Sequence, residues 1–289
     1  KEQCMKKTTK FALALLTAIS VVGLATAAES TLDQIKSSKT IRLGYRDGSI
    51  PFSFVGDDKQ PRGYSVDLCK MVADDIAKQL KLEKLDVQWV PVTAQSRFDA
   101  LKSKKIDLEC GNSTQTISRR ADFDFSVMTY VDGASLLFRK GEVPTSADHM
   151  AGQRIVVVSG TTTEKALDAM GTSGKLGAAL VRVPDHGAAL KALADKRATA
   201  YAADRTVLLT SALTSGLDME FELSAAQFTY EPYGLMMRID PAFRLAVDRS
   251  LARLYRTGEI SPVFQRWFGA LGKPGEAIKV MFLLNGLPE

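Results

Sequence analysis

Short apolar runs of strand length alternate with longer stretches of helical spacing along most of the chain. Ile41–Tyr45 is the first of these runs of strand length, and between Ser65 and about Leu82 apolar residues recur every three or four positions. We predict a strand for the first segment and a helix capped by Ser65 for the second. The alternation continues through two successive blocks of about 100 residues and a helical tail, which indicates an α/β protein.

The same pattern predicts the remaining elements. Asp240 and Pro241 begin a long helix as N-cap and first-turn proline, and Gly258 ends it. Further strands are predicted at Val87–Val90, Ile106–Cys110, Arg154–Ser159, Ala179–Val183, Ala198–Ala203 and Gly234–Arg238, with helices at Ser96–Lys105, Glu164–Met170, Ala188–Arg197, Thr206–Leu213 and, as the last helix, from Ser261 through Phe268.

Polar and glycine-rich residues gather where these strands end, which is where open α/β sheets bind ligands. Arginine grips a carboxylate with two parallel hydrogen bonds, a Gly/Ser/Thr turn at a helix start holds anions, and a lone carboxylate suits an ammonium group. Taken singly, each cluster also has a structural interpretation, as a solvated arginine, a capped turn or, for Asp204, a helix N-cap. The five clusters are Tyr45–Ser49, Gln95–Arg97, Cys110–Thr114 with Arg119 and Arg120, Ser159–Thr163, and His186 with Asp204.

Composition bounds the class of protein. The 289 residues are 25% charged and 45% hydrophobic, values that exclude wholesale disorder, collagen and coiled coil. The length predicts one large or two medium domains. A formal net charge of +5 by itself suggests nucleic acid or an anionic membrane surface as a partner.

The N-terminal segment changes that interpretation. Lysines precede an apolar core of about 14 residues, Phe11–Leu24, which is short for a membrane span, and small residues Ala25–Ala28 follow. We predict a signal peptide over residues 1–27, with Lys1–Cys4 as a leading extension and cleavage near Ala27/Ala28. Its removal takes four lysines and one glutamate, so the net charge falls to +2. We therefore expect no nucleic-acid partner, and a mature chain exported to the periplasm.

Enzyme and metal motifs are mostly absent from the sequence. It contains no G-x-S-x-G, P-loop or H-E-x-x-H pattern, and His149 and His186 are its only histidines. Cys69 and Cys110 lack metal-site spacing, so we expect no metal and no cofactor. These two cysteines form either one disulfide or two buried thiols, and the sequence leaves both open.

An ordered set of short motifs runs through residues 30–270. The motifs are Ser49–Phe54, Gly63–Leu68, Cys110–Thr114 with Arg119, Asp122–Ser126, Val158–Thr162, Asp185–Gly187, Asp204 and Tyr233–Gly234. In this order they resemble family 3 extracellular solute-binding proteins, the periplasmic receptors of polar amino-acid ABC transporters. Within that family, Glu109–Gly111 and Asp185–Gly187 look most like the glutamate/aspartate-binding branch.

The resemblance implies a type II clamshell of two α/β lobes. Residues 28–130 with 234–289 would form lobe 1 and residues 131–233 lobe 2, joined by hinge strands near Tyr130–Gly133 and Glu231–Gly234. It also implies L-glutamate or L-aspartate as ligand, membrane permease subunits as partners, and a monomer. The alternative is a cyclohexadienyl-dehydratase-like enzyme on the same fold, with Glu109 or His186 as the candidate general acid.

One part of the implied site addresses the backbone end of the amino acid. Arg119 matches the arginine that grips the α-carboxylate, helped by Thr114 and the Thr161/Thr162 turn. Asp204 matches the carboxylate that takes the α-ammonium.

The other part addresses the ligand side chain. Arg46 and Arg97 match the pair that holds the side-chain carboxylate, with His186 nearby. Two positions depart from the branch, which usually has serine where this chain has Ala94 and Asn112. We expect these two changes to shift the preference between glutamate and aspartate, in a direction that the sequence does not determine.

Overall fold

Two five-stranded sheets organise the protein in a computed structural model, which describes residues 29–144, 150–216 and 220–289. The predicted signal peptide and His149 lie outside the described residues. The helices are α1 Thr31–Ser38, α2 Tyr64–Gln79, α3 Arg97–Lys102, α4 Ile117–Arg120, α5 Thr162–Thr172, α6 His186–Ala194, α7 Arg205–Thr214, α8 Pro241–Thr257, α9 Ile260–Phe268 and α10 Glu276–Asn285. The strands are β1 Thr40–Arg46, β2 Phe54–Val55, β3 Pro61–Arg62, β4 Asp86–Val92, β5 Leu108–Glu109, β6 Phe123–Phe125, β7 Tyr130–Asp132, β8 Ala134–Arg139, β9 Arg154–Val158, β10 Ala179–Val183, β11 Ala200–Asp204, β12 Phe221–Leu223, β13 Glu231–Tyr233 and β14 Met236–Arg238.

The first sheet has the order β4-β1-β5-β14-β6. β1 pairs in parallel with β4 and β5, whereas β14 runs antiparallel to both β5 and β6. Helices α2, α8 and α9 contribute to the apolar cluster packed on it, which includes Leu43, Val72 and Leu251. We call this sheet and its helices the first lobe.

The second sheet repeats the arrangement with the order β10-β9-β11-β8-β12. β9 pairs in parallel with β10 and β11, and β8 pairs antiparallel with β11 and β12. Clusters centred on Val156 and Val157 fill its two faces, because successive side chains of a strand point to opposite faces. We call this sheet and its helices the second lobe.

A separate antiparallel pair, β7 with β13, connects the two sheets. β7 runs from the first sheet into β8 of the second, and β13 returns the chain to β14 of the first. Glu231 pairs with Asp132, and Tyr233 pairs with Tyr130. The chain therefore crosses between the lobes at two adjacent strands.

A disulfide joins Cys69 of α2 to Cys110, directly after β5, with the two Cα atoms 6.0 Å apart. Both cysteines are fully buried in the core of the first lobe. Of the two states that the sequence left open, the structure therefore has the bridge. It ties the loop that follows β5 to the helix beneath it.

The α/β class and most predicted elements are confirmed, and two details of the prediction are wrong. Ser65 does not cap α2: the helix begins at Tyr64 after Gly63, whose φ of +131° and close approach to the Phe52 carbonyl only a glycine tolerates. The helix from Ser261 is not the last, because α10 follows it and buries Ile278 and Met281 against the first lobe. Within the described residues, no helix has the length and apolar character needed to cross a membrane.

Candidate ligand-binding site

All nine predicted site residues line one cavity between the two lobes. Most of them lie at the carboxyl end of a strand or within a few residues after it, as expected for an open α/β sheet. Apolar walls come from Val158, Ala202 and Ala203. The nine residues are Arg46, Arg97, Asn112, Thr114 and Arg119 from the first lobe, and Thr161, Thr162, His186 and Asp204 from the second.

Arg97 and Arg119 converge on one backbone oxygen. Nη2 of each arginine donates to the carbonyl of Gly160 in the second lobe, at 3.4 Å in both cases. Their guanidinium carbons lie 4.4 Å and 5.4 Å from the ring centroid of Phe98, in positions typical of cation–π contacts. Burial lowers the pKa of both arginines, and the nearby charge of Arg46 lowers that of Arg97 further. A ligand anion here would therefore offset an unfavourable buried positive charge.

Arg46 lies at the end of β1 and is only 4% exposed. Its Nε is 3.4 Å from Oε1 of Glu109, a fully buried carboxylate on β5. Nε and Nη2 of Arg46, like Nε and Nη1 of Arg97, have no hydrogen-bond partner within the described part of the chain. These arginines thus present unused donors next to a cavity, which is unusual for buried polar atoms.

Asp204 is the carboxylate of the site. Tyr233 donates its hydroxyl proton to Oδ2, and Thr163 donates to Oδ1 over 3.2 Å. Burial, with the nearby charges of Glu231 and Asp132, raises the pKa of Asp204 to about 8. Asp204 occupies the N-cap position of α7 but makes no capping bond there, so its side chain serves the cavity instead.

Glu231 was not among the predicted site residues. It is 1% exposed, and its Oε2 accepts from Thr114 of the first lobe over 2.5 Å and from Thr162 of the second over 2.7 Å. The two threonine oxygens are themselves 3.3 Å apart. One strand carboxylate therefore links the two lobes beside the cavity.

His186 begins α6 and is buried. Its Nδ1 lies 2.5 Å from the hydroxyl of Tyr201. Burial, and secondarily the charge of Arg46, lowers the pKa of His186 to about 3, which keeps the ring neutral near pH 7. A neutral imidazole beside Arg46 provides a hydrogen bond without adding a fourth positive charge.

Thr161 and Asn112 complete the cavity wall. Thr161 caps α5 by accepting from the Glu164 backbone N–H, so the predicted turn is both an N-cap and part of the cavity. Asn112 is 6% exposed; its Nδ2 lies 3.5 Å from the Tyr233 hydroxyl, and its Oδ1 finds no partner among the residues described.

Across the part of the chain that the structure describes, no group of three His, Cys, Asp or Glu side chains has a metal-binding arrangement.

Two α/β lobes that enclose one polar cavity, with two crossover strands between them, define a clamshell binding protein of the type II class. The chain belongs to the bacterial extracellular solute-binding proteins, family 3, whose family model matches residues 41–270. The resemblance seen in the sequence is thereby confirmed.

Relatives with curated names agree with this membership. The chain is 34% identical over 240 residues to the L-glutamate/L-aspartate-binding protein of Pseudomonas aeruginosa, covering 82% of this chain and 80% of that one. It is 32% identical to a glutamate/aspartate import solute-binding protein of Salmonella typhimurium, covering 88% of each. A solved structure of an ancestral amino acid-binding protein, described as a precursor of cyclohexadienyl dehydratase, superposes with a TM-score of 0.71 at 26% identity, covering 83% of this chain and 100% of that one.

Proposed function

We propose that this protein captures L-glutamate or L-aspartate between its lobes and delivers it to the permease subunits of an ABC importer. The observation that carries the proposal is the convergence of Arg46, Arg97 and Arg119 with Asp204 on one cavity. Buried guanidinium groups are stabilised by counter-anions. A ligand with two carboxylates and one ammonium provides these anions and a cation for Asp204. The names of the two bacterial relatives support the same ligand class.

The proposed roles follow the position of each side chain. Arg119, Thr114 and the Thr161/Thr162 turn hold the α-carboxylate, and Asp204 holds the α-ammonium. Thr114 and Thr162 already meet at Glu231, so this end of the ligand lies where the two lobes touch.

The side-chain carboxylate lies between Arg46 and Arg97. His186 contributes a neutral hydrogen bond, and Asn112 lines the same cavity. Removing either arginine leaves the distal carboxylate with one fixed cation instead of two.

Capture proceeds by hinge closure about β7 and β13, between lobes comprising residues 28–130 with 234–289 and residues 131–233. The ligand docks first on the three arginines of the first lobe, and the second lobe then closes with Thr161, Thr162, His186 and Asp204. Without a ligand, closure buries like charges against one another, so the anion drives it. The protein works as a monomer in the periplasm after cleavage near Ala27/Ala28.

A cyclohexadienyl-dehydratase-like reaction is the competing function, and it needs a general acid in the cleft. His186, with its pKa lowered to about 3, carries no proton to give near pH 7. Glu109 is fully buried and already paired with Arg46, whose Nε lies 3.4 Å from its Oε1. Neither candidate general acid named from the sequence therefore supports the dehydratase reaction, and we retain amino-acid binding as the proposed function.

A thermal-shift screen of the twenty amino acids tests the proposal, because a ligand bound to the native state raises the melting temperature. Glutamate or aspartate should give the largest shift and be recovered unchanged. Arg119→Ala should abolish the shift while circular dichroism still shows a folded protein. A larger response to arginine or histidine would contradict the assigned pocket.

A further inference from the structure

A second cavity lies directly beside the one lined by the arginines. It measures about 430 Å³ and shares Arg46, Val158 and His186 with the first cavity. Its other walls come from both lobes, from the loop after β1, the end of β4 and the turn before α6. The two cavities therefore meet where Arg46 faces His186.

Apolar side chains line part of the second cavity, beside polar ones that include Asp47 and Asp185. Pro91, Val92 and Ala94 line it on the first lobe, and Val158 and Pro184 line it on the second. Ala94 projects only a methyl group into this wall. A surface of this kind favours an alkyl group over a charged one.

Arg46 supplies hydrogen-bond chemistry at the junction. Its Nε and Nη2 lack acceptors among the described residues, while Glu109 at 3.4 Å already provides a counter-charge. A neutral carbonyl oxygen can therefore accept from Arg46 without leaving this guanidinium unpaired. The group bound at this point need not be a carboxylate.

We propose that the site also binds γ-N-alkyl amides of glutamate, with the amide carbonyl at Arg46 and the alkyl group in the second cavity. This inference rests on the proposed function, because the α-carboxylate and α-ammonium must lie at Arg119 and Asp204. The proposed roles fill the first cavity as far as the distal carbonyl, so a substituent on that carbonyl needs space elsewhere. The second cavity provides that space on the far side of the junction.

Calorimetric titration with L-glutamate, L-glutamine and the N-methyl, N-ethyl and N-propyl amides tests the proposal. Affinity should rise from glutamine onward by about two- to fourfold per added carbon, as expected for buried methylene groups. Steadily falling affinity along the series, or no binding of the alkyl amides while glutamate binds, would overturn the inference alone. Failure of glutamate and glutamine as well would overturn the proposed function together with it.

A variant that fills the second cavity tests whether the alkyl group of the ligand contacts this cavity or projects into solvent. Gly187 lines only the second cavity, and a Cβ there makes an ordinary 3.4 Å contact with Asp185. Gly187→Leu should weaken the N-propyl amide at least tenfold and change glutamate less than twofold. Gly171→Leu is the matched control, because a Cβ on this glycine of α5 meets no described atom within 4 Å. Equal losses for both ligands, or none for the amide, would contradict the proposal.

Discussion

The carbonyl oxygen of Gly160 lies 3.4 Å from Nη2 of Arg97, so the second lobe reaches the arginine cluster through a single backbone atom. Gly160 has a φ of +82°, and a Cβ there would be 2.9 Å from the carbonyl oxygen of Ala94 and from Cα of Gln95. Both the backbone conformation and the missing side chain allow the lobes to approach this closely.

Gly160→Ala should therefore weaken ligand binding at least tenfold while each lobe stays folded, because the methyl group keeps the lobes apart. Titration calorimetry measures the affinity, and small-angle scattering with ligand measures closure. Gly174→Ala is the control: Gly174 has a φ of +71°, and a Cβ there meets no described atom within 4 Å. Equal loss of affinity in both variants would mean that backbone strain, not the contact between lobes, is responsible.

Arg97→Met should make the ligand-free protein more stable, by about 1–4 kcal/mol, while it removes binding. Arg97 is 2% exposed, and two of its nitrogens find no partner in the described structure, so the charge costs more than it gains without ligand. Denaturant unfolding and titration calorimetry provide the two measurements.

Arg238→Met provides the opposite result as a control. Arg238 pairs with the buried Asp107 at 2.9 Å, so its loss should lower the unfolding free energy. A drop in stability for Arg97→Met as well would show that Arg97 is already satisfied in the free protein.

Ligand binding should release protons near pH 7. The pKa of Asp204 is about 8 because of burial and of the charges on Glu231 and Asp132, so the free carboxyl is mostly protonated below that pH. A bound ammonium requires the ionised form, and affinity should rise with pH from 6 towards 8, by up to about tenfold per unit. Calorimetry in two buffers of different ionisation enthalpy measures the release. Zero protons at pH 7 would contradict contact between Asp204 and the ammonium.

The disulfide should contribute about 2–4 kcal/mol of stability, because it closes a loop between residues 41 positions apart. The double variant Cys69→Ala/Cys110→Ala should unfold at a lower denaturant concentration than the oxidised protein. Reductant should lower the midpoint of the original chain to that of the variant and leave the variant unchanged. Identical midpoints for the oxidised chain and the variant would show that the bridge adds no stability.

Strand-end positions, together with the family resemblance, account for what the sequence predicted of the site. Arg46, Thr161 and Asp204 each lie at or just after the end of an apolar run, and open α/β sheets bind ligands at these strand ends. Glu231 carries no such signal. Its partners Thr114 and Thr162 lie 117 and 69 residues away, so its role depends on contacts that exist only in the folded chain.

The fold shows the same division. β1, β9 and β10 are five to seven residues long and are predicted by their own apolar runs. β7 and β13 have three residues each, too few to show a period, and only the family resemblance implies them, as the hinge strands. The start of α2 was misplaced because Gly63 packs against Phe52, a contact that no helix-capping pattern contains.

The position of β14 also determines the order in which the lobes complete their sheets. β14 lies between β5 and β6 and is paired with both, yet it follows the whole second lobe along the chain. Until residue 236 is available, the first sheet has a gap with two open edges, while every strand of the second sheet is already present. The second lobe can therefore finish folding first, and an N-terminal fragment of this protein would carry exposed strand edges prone to aggregation.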